Sequence, residues 1–304
     1  MKWKKLGRVY VARGEYDWAQ THAYVPTSML LDGERIRIYC AFLDKQQVGR
    51  LGFVDVEARN PLKVLGVSRR PVLDIGEPGT FDDSGVTPMS VVDYGQKKLM
   101  YYTGWQRGVG VRYYLFTGLA MSEDGGETFG RYSKVPVLDR SHDELFVRTA
   151  AYVTATKGLF RMWYVAGSKW VEVRGKQVPS YDLRYLESKD GFSWGRRGAI
   201  CLELSAEGEF GFGRPFVIKE GSLYRMWYSV RTVSKGYRLG YAESRDGLHW
   251  KRKDNEAGID VSESGWDSEM ICFSNIIDVG DKRFMFYNGN NYGETGFGVA
   301  ILEK

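Results

Sequence analysis

Five stretches of the chain place ionisable or amide side chains where an apolar run is about to begin: YDWAQTHAYVPT, TFDDSGVTP, DELFVRTAAY, EFGFGRPF and GWDSEMICFSN. They carry Asp17, His22, Asp82, Asp83, Glu144, Arg148, Glu209, Arg214, Asp267, Glu269 and Asn275. A strand whose only task is packing needs no charge at its start. Cleaving a glycosidic bond takes two carboxyl groups flanking it, one protonated to help the leaving group and one ionised as base or nucleophile. Asp83, Glu269 and Glu144 are the candidates for that work. Arg148 and Arg214 are suited to clamping a carboxylate, phosphate or sulfate, or to tuning a carboxylate's pKa. Trp105 and Trp170 follow apolar strands and could stack on a sugar face, while His22, Asp17, Asp82, Asp267 and Asn275 complete a polar lining. A water-filled channel would also accept such charges, so the same set reads either as a ligand site or as a solvated passage.

Other chemistries fit less well. The chain has 3 His and none is clustered with partners, so no metal centre is expected and His22 reads as a hydroxyl partner or a packed side chain. No His sits beside a plausible Ser or Cys nucleophile motif. The glycine stretches GWQRGVG and GETGFGVA precede no helical pattern, so they are not phosphate or dinucleotide loops and no cofactor is expected. Cys40, Cys201 and Cys272 lie in apolar stretches without metal spacing and read as reduced core residues. The net charge of +5 is spread along the chain, which gives no nucleic-acid patch. Nowhere do about 18 apolar residues run together and no secretory leader is visible, so the expectation is a cytoplasmic protein without a membrane span.

The elements that must hold these residues repeat. An apolar-aromatic strand recurs five times, as RIRIYCAF, KKLMYYTGW, LFRMWYVAG, LYRMWYSVR and KRFMFYNGN. Its aligned tyrosines are Tyr39, Tyr102, Tyr164, Tyr228 and Tyr287, at intervals of 63, 62, 64 and 59 residues. That period suits four strands and their turns. A turn motif, Ser-x-Asp-Gly, follows the third strand of three repeats, at Ser122, Ser188 and Ser244. Asp can bond the backbone ahead of it and Gly accepts positive φ, so the motif reads as structural. The last repeat lacks a fourth strand, and WKKLGRVYV near the N-terminus aligns with WGRRGAICL. The expected fold is all-β: one domain over residues 1–304, a five-bladed β-propeller whose ring is closed by the N-terminal strand. Positions 170–180 form the longest polar insertion, expected as a rim loop over the ligand site.

The stretches FDDSGVTP, GLAMSEDGGETF, RMWYVAGSKW, RPFVIKEGSLYRMWYS, YAESRDGLHWKRKD, SGWDSEMICF and MFYNGN resemble the five-bladed propeller superfamily of arabinanases, invertases and β-mannoside phosphorylases. Within it the chain looks most like glycosidase-like proteins of bacterial polysaccharide loci and the N-terminal module of glucosamine inositolphosphorylceramide transferases. The resemblance implies a glycoside hydrolase-like enzyme acting on a sugar or activated sugar of polysaccharide biosynthesis. It also implies acids on the inner strands of the first three blades. Here the second blade offers Asp83 or Asp82, the first has His22, and the third has Glu144 followed by Arg148. That departure keeps a second reading open, a non-catalytic protein that binds a sugar or nucleotide-sugar.

Overall fold

The computed structural model describes residues 1–156, 158–205 and 208–303. Strand β1 spans Trp3–Tyr10. It is followed by β2 Thr21–Leu30, β3 Arg35–Leu43, β4 Gly49–Glu57 and β5 Val64–Val67, paired in that order. Next come β6 Val86–Tyr94, β7 Lys97–Arg107, β8 Tyr113–Ser122 and β9 Gly130–Arg131, again paired in sequence. The third set is β10 Val147–Thr156, β11 Leu159–Val173, β12 Lys176–Ser188 and β13 Ala199–Leu202. The fourth is β14 Glu209–Glu220, β15 Leu223–Thr232, β16 Arg238–Ser244 and β17 Trp250–Arg252. Finally β18 Cys272–Val279, β19 Lys282–Asn288 and β20 Phe297–Leu302 pair in order, and β1 lies antiparallel on the outer side of β20. Among the described residues the only helical pieces are α1, Asn290–Gly293, and a single 3-10 turn at Asp254–Glu256.

The second strand of each set explains the repeated aromatic run. In β3, RIRIYCAFL, seven consecutive residues are buried, so both faces of the strand are covered. Continuous apolar runs are what a strand buried on both faces needs. The covers are the neighbouring sets. One core cluster packs Tyr39 and Leu51 against Met100 and Tyr102, and another packs Leu99 and Tyr101 against Met162 and Tyr164. A further cluster packs Phe284, Phe286 and Phe297 of the last set against Ile36, Ile38 and Phe42 of the first.

The Ser-x-Asp-Gly turns set the order of these layers. At Asp190, the Ser193 and Phe192 amides donate to the carboxylate at 2.8 Å, and with Ser188 they hold its pKa down to about 2. Because the folded value lies below the unfolded one, this contribution is present above about pH 4 and is lost as pH falls towards 2. Each turn also docks on the preceding set. Tyr39 donates to the Gly126 carbonyl at 2.8 Å, Tyr101 to Gly191 at 2.7 Å and Trp163 to Gly247 at 2.8 Å.

Two features go beyond what the pattern predicts. Residues 170–180 are not a loop: β11 and β12 run on as a long hairpin turned by Arg174 and Gly175, both with positive φ (52° and 74°). A two-residue turn of that kind matches strand twist, and Trp170, Val171, Val173 and Val178 supply strand-forming side chains. Secondly, every first strand carries a register break at the same level, at Tyr24/Thr27, Pro88/Ser90, Thr149/Tyr152, Gly213/Phe216 and Cys272/Asn275. Val25, Ala150, Arg214 and Phe273 hold positive φ there. Such bulges re-aim side chains beside functional sites.

Candidate functional site

The first strands β2, β6, β10, β14 and β18 contact one another in that order, and β18 also contacts β2. Side-chain bonds tie them together. Asn275 accepts from the Ser28 amide at 2.9 Å and from its hydroxyl, linking β18 to β2. Ser90 donates to the Ala151 carbonyl at 3.0 Å, linking β6 to β10.

Arg214 is the centre of this assembly. It is 1% exposed, and its guanidinium donates to the carbonyls of Pro26 (2.6 Å), Phe273 (3.1 Å) and Met89 (3.0 Å) and to the Thr27 hydroxyl (2.8 Å). Burial without a carboxylate partner lowers its pKa to about 9, so the group remains charged at neutral pH. The sequence pattern suggests an anion clamp, but the two Nη atoms are instead committed to four protein oxygens on three other strands. Replacing Arg214 by Met would leave those acceptors without this donor and should lower the unfolding free energy by about 2 kcal/mol or more, readable by urea denaturation. An unchanged midpoint would show that the strands do not depend on it.

The buried acids of the first-strand approaches form a repeated pin. Asp82, 0% exposed, accepts from the Tyr102 hydroxyl at 2.9 Å and from Arg131 at 2.7 Å. Glu144, also 0% exposed, accepts from Tyr164, from Arg184 at 3.0 Å, from the Gly198 amide at 3.1 Å and from Arg148. Asp267 accepts from Tyr287 at 3.0 Å and from Lys5 at 2.7 Å. In the fourth set Asp254 does the same for Tyr228 (2.5 Å) and Arg252. Four of the five aligned tyrosines thus meet a carboxylate that also holds a cation. Asp82, Glu144 and Asp267 are thus enclosed by protein donors, and the Arg148 guanidinium is bonded to Glu144.

The remaining expected residues lie nearer solvent. Asp17 and Glu269 are exposed. The Glu269 backbone is fixed by Asn290 and Arg238, while its carboxylate makes no hydrogen bond among the described residues. Asp83 is half-buried and accepts from the Ser84 hydroxyl at 2.7 Å and the Gly79 amide at 2.9 Å. His22 has positive φ (61°) and lies beside Thr21 and Tyr24; burial lowers its pKa below the usual 6.5, against the opposing pull of Glu294. It is therefore neutral at neutral pH.

What the start of the first strands does bring together is an aromatic basin. Trp105 donates to Thr87 at 2.8 Å and its ring lies 5.2 Å from that of Tyr113. Tyr113 lies 5.9 Å from Trp170, which lies 6.1 Å from Phe146. On the other side Tyr237 lies 5.2 Å from Tyr292 and 5.9 Å from Phe273. Burial pushes the Tyr113 phenol up to about 12, with smaller effects from Tyr181, Arg231, Arg112 and Tyr292. Of this basin the sequence pattern singles out Trp105 and Trp170. It misses Tyr113, Tyr181, Arg231, Tyr237 and Tyr292, although Tyr113, Arg231 and Tyr237 sit at or beside the end of a strand. Among the described residues no cluster of His, Cys, Asp and Glu could hold a metal ion, and no helix is long and apolar enough to cross a membrane.

No protein-family model matches the chain. It is 37% identical over 304 residues to the uncharacterized protein Rv1502 of Mycobacterium tuberculosis, covering 100% of both chains, and equally identical to the uncharacterized protein MT1551 from another strain of that organism. Among solved structures, a thermostable family-43 glycoside hydrolase aligns with a TM-score of 0.71 at 20% identity, over 92% of this chain and 89% of its own. A glycosyl hydrolase from Bacteroides ovatus aligns at 0.69 and 14% identity, over 94% of this chain and 85% of its own. The GH32 β-fructofuranosidase BmSUC1 of Bombyx mori aligns at 0.60 and 16% identity, over 93% of this chain and 61% of its own. The fold is that of the glycoside hydrolase propeller-type proteins.

Proposed function

Because the chain belongs to the family of the Mycobacterium tuberculosis protein Rv1502 and has a glycoside hydrolase-like fold, we propose that it is a five-bladed propeller acting on a carbohydrate in its central funnel. The blade count is supported by five successive runs of antiparallel pairing, the middle three joined by short parallel pairings of β8 with β10 and β12 with β14, and ring closure by the pairing of β1 with β20 and the core shared by the last and first sets.

The observation that carries the ligand class is the basin of Trp105, Tyr113, Trp170 and Tyr237. The C–H face of a sugar ring is apolar and weakly positive, which suits the electron-rich face of an aromatic ring, while its hydroxyls need polar groups such as His22 and Thr87 at the edge. The carboxylates left accessible for acid and base work are Asp83 and Glu269; Glu144 is assigned to the pin. The ligand is a sugar or activated sugar of polysaccharide biosynthesis, handled in the cytoplasm.

A glycan screen on the intact protein, followed by cleavage assays of the hits, tests this. Asp83→Asn and Glu269→Gln should each lower turnover on the identified substrate by about a hundredfold or more, the range of a lost general acid or base. Full turnover in both variants would remove these two residues from the chemistry. One observation favours a second reading: His22 stands where the first blade would carry an acid, and Asp82 and Glu144 are enclosed. Tight sugar binding without cleavage by the wild-type protein would establish that reading, a non-catalytic sugar or nucleotide-sugar binding protein.

A further inference from the structure

Most buried arginines of this protein meet a carboxylate: Arg37 with Asp55, Arg148 and Arg184 with Glu144. Arg214 lacks one but is held by four oxygen acceptors. Arg231, on β15, differs from all of them. It is 6% exposed, is paired with no carboxylate among the described residues, and has one hydrogen bond, from Nη1 to the Pro179 carbonyl at 3.1 Å. Its Nε is buried without an acceptor, as is that of Arg214, but the Arg214 Nη atoms have four acceptors where those of Arg231 have one. Around it stand the rings of Phe210 (4.4 Å), Tyr181 (4.8 Å) and Tyr237 (5.9 Å), with Tyr113 and Tyr292 close enough to interact electrostatically.

Aromatic faces stabilise a guanidinium, but they do not accept its N–H bonds in plane and do not neutralise it. A second unsatisfied donor lies next door. Trp170 is the cross-strand partner of Pro179, the residue to which Arg231 donates, and the Trp170 Nε1 is likewise buried without an acceptor. Two orphaned N–H donors, one of them on an unneutralised cation, flank a single residue at the edge of the aromatic basin.

We propose that Arg231 and Trp170 form an oxyanion subsite, so that the ligand is a sugar bearing one carboxylate or phosphate. The inference rests on the carbohydrate reading above and adds the charge of the ligand. A guanidinium bonds such an oxyanion through parallel N–H donors, and the surrounding rings keep out the water that would weaken the attraction. The sugar ring then lies over the aromatic floor towards Trp105.

The test uses the full chain and its intrinsic tryptophan fluorescence, with matched probes: glucuronic acid against glucose, glucose 6-phosphate against glucose, and inorganic phosphate alone, all at constant ionic strength. The wild-type protein should bind the charged member of one pair at least about tenfold more tightly than the neutral member, the size of a charge-assisted hydrogen bond. Carboxylate and phosphate arms separate the two sources of the charge. Arg231→Met, which keeps an apolar stem among the rings, should abolish the preference, while Arg231→Lys should keep part of it; a thermal melt confirms that both variants fold. Equal affinity for charged and neutral sugars overturns the oxyanion subsite and leaves the carbohydrate reading standing. Binding of phosphate alone, with no contribution from any sugar ring, overturns the carbohydrate reading instead. No response to any charged probe, or a preference that survives in Arg231→Met, overturns the subsite.

Discussion

Replacing Glu144 by Ala should lower the unfolding free energy by about 3–5 kcal/mol, the cost of removing one partner from a buried ion pair. Two arginines depend on this carboxylate. Arg148 is 3% exposed and Arg184 9% exposed, and both donate to Glu144 together with the Tyr164 hydroxyl and the Gly198 amide. Without it Arg148 keeps only backbone carbonyls at Asp139 and Gly195, and Arg184 keeps Asp182. Two cations would then share one carboxylate in a setting that excludes water. The loss is a large part of the roughly 5–15 kcal/mol that holds a domain folded. Urea unfolding measures it, with Asp83→Ala and Glu269→Ala as comparisons. Neither side chain ion-pairs among the described residues, so losing the exposed Glu269 should change stability by no more than about 0.5 kcal/mol, and losing Asp83, which accepts from the Gly79 amide and the Ser84 hydroxyl, by about 1 kcal/mol. If Glu144→Ala unfolds at the wild-type urea concentration, the carboxylate is not a pin.

The contrast between these residues shows what the sequence could and could not carry. Period and pattern made the strands legible, because a strand buried on both faces must be apolar throughout and Tyr39, Tyr102, Tyr164, Tyr228 and Tyr287 mark its position. Charge near a strand start was also legible, but the direction of the side chain was not. Asp82 and Asp83 are adjacent in the turn before β6, yet one carboxylate accepts from the buried Tyr102 hydroxyl while the other accepts from the Gly79 amide and the Ser84 hydroxyl. Arg148 and Arg214 look like anion clamps because nothing local neutralises them in the sequence. Glu144 does so four residues away for Arg148, while Arg214 reaches acceptors as distant as Pro26. Arg231 carries no signal of its own: it closes the apolar run LYRMWYSVR, and only the packing of Tyr181, Phe210 and Tyr237 around it makes it distinctive. The hairpin at 170–180 is hidden by its charges, which alternate with the side chains that hold it as a strand pair.

Removing residues 1–11 should have the largest effect of any change considered. Strand β1 pairs with β20 from Trp3 opposite Leu302 to Tyr10 opposite Phe297, so its loss bares the outer edge of β20, FGVAIL. An apolar edge with unpaired N–H and C=O groups invites pairing with other chains. The deletion also takes out Trp3, 4% exposed and packed edge-on at 6.1 Å against Trp227, whose truncation alone costs about 3–5 kcal/mol in a core of this kind. Lys5 goes with it, leaving Asp267 with Tyr287 but without its cation at 2.7 Å. These losses together exceed what a marginally stable domain can absorb. The truncated chain should aggregate on expression and show no cooperative thermal transition. A synthetic peptide of residues 1–11 added during refolding should restore solubility and a melt, because it re-pairs β20 and returns Trp3 to its site. A truncated protein that stays monomeric with the wild-type melting curve would show that β1 is dispensable, and the closure of the ring through β1 would have to be given up.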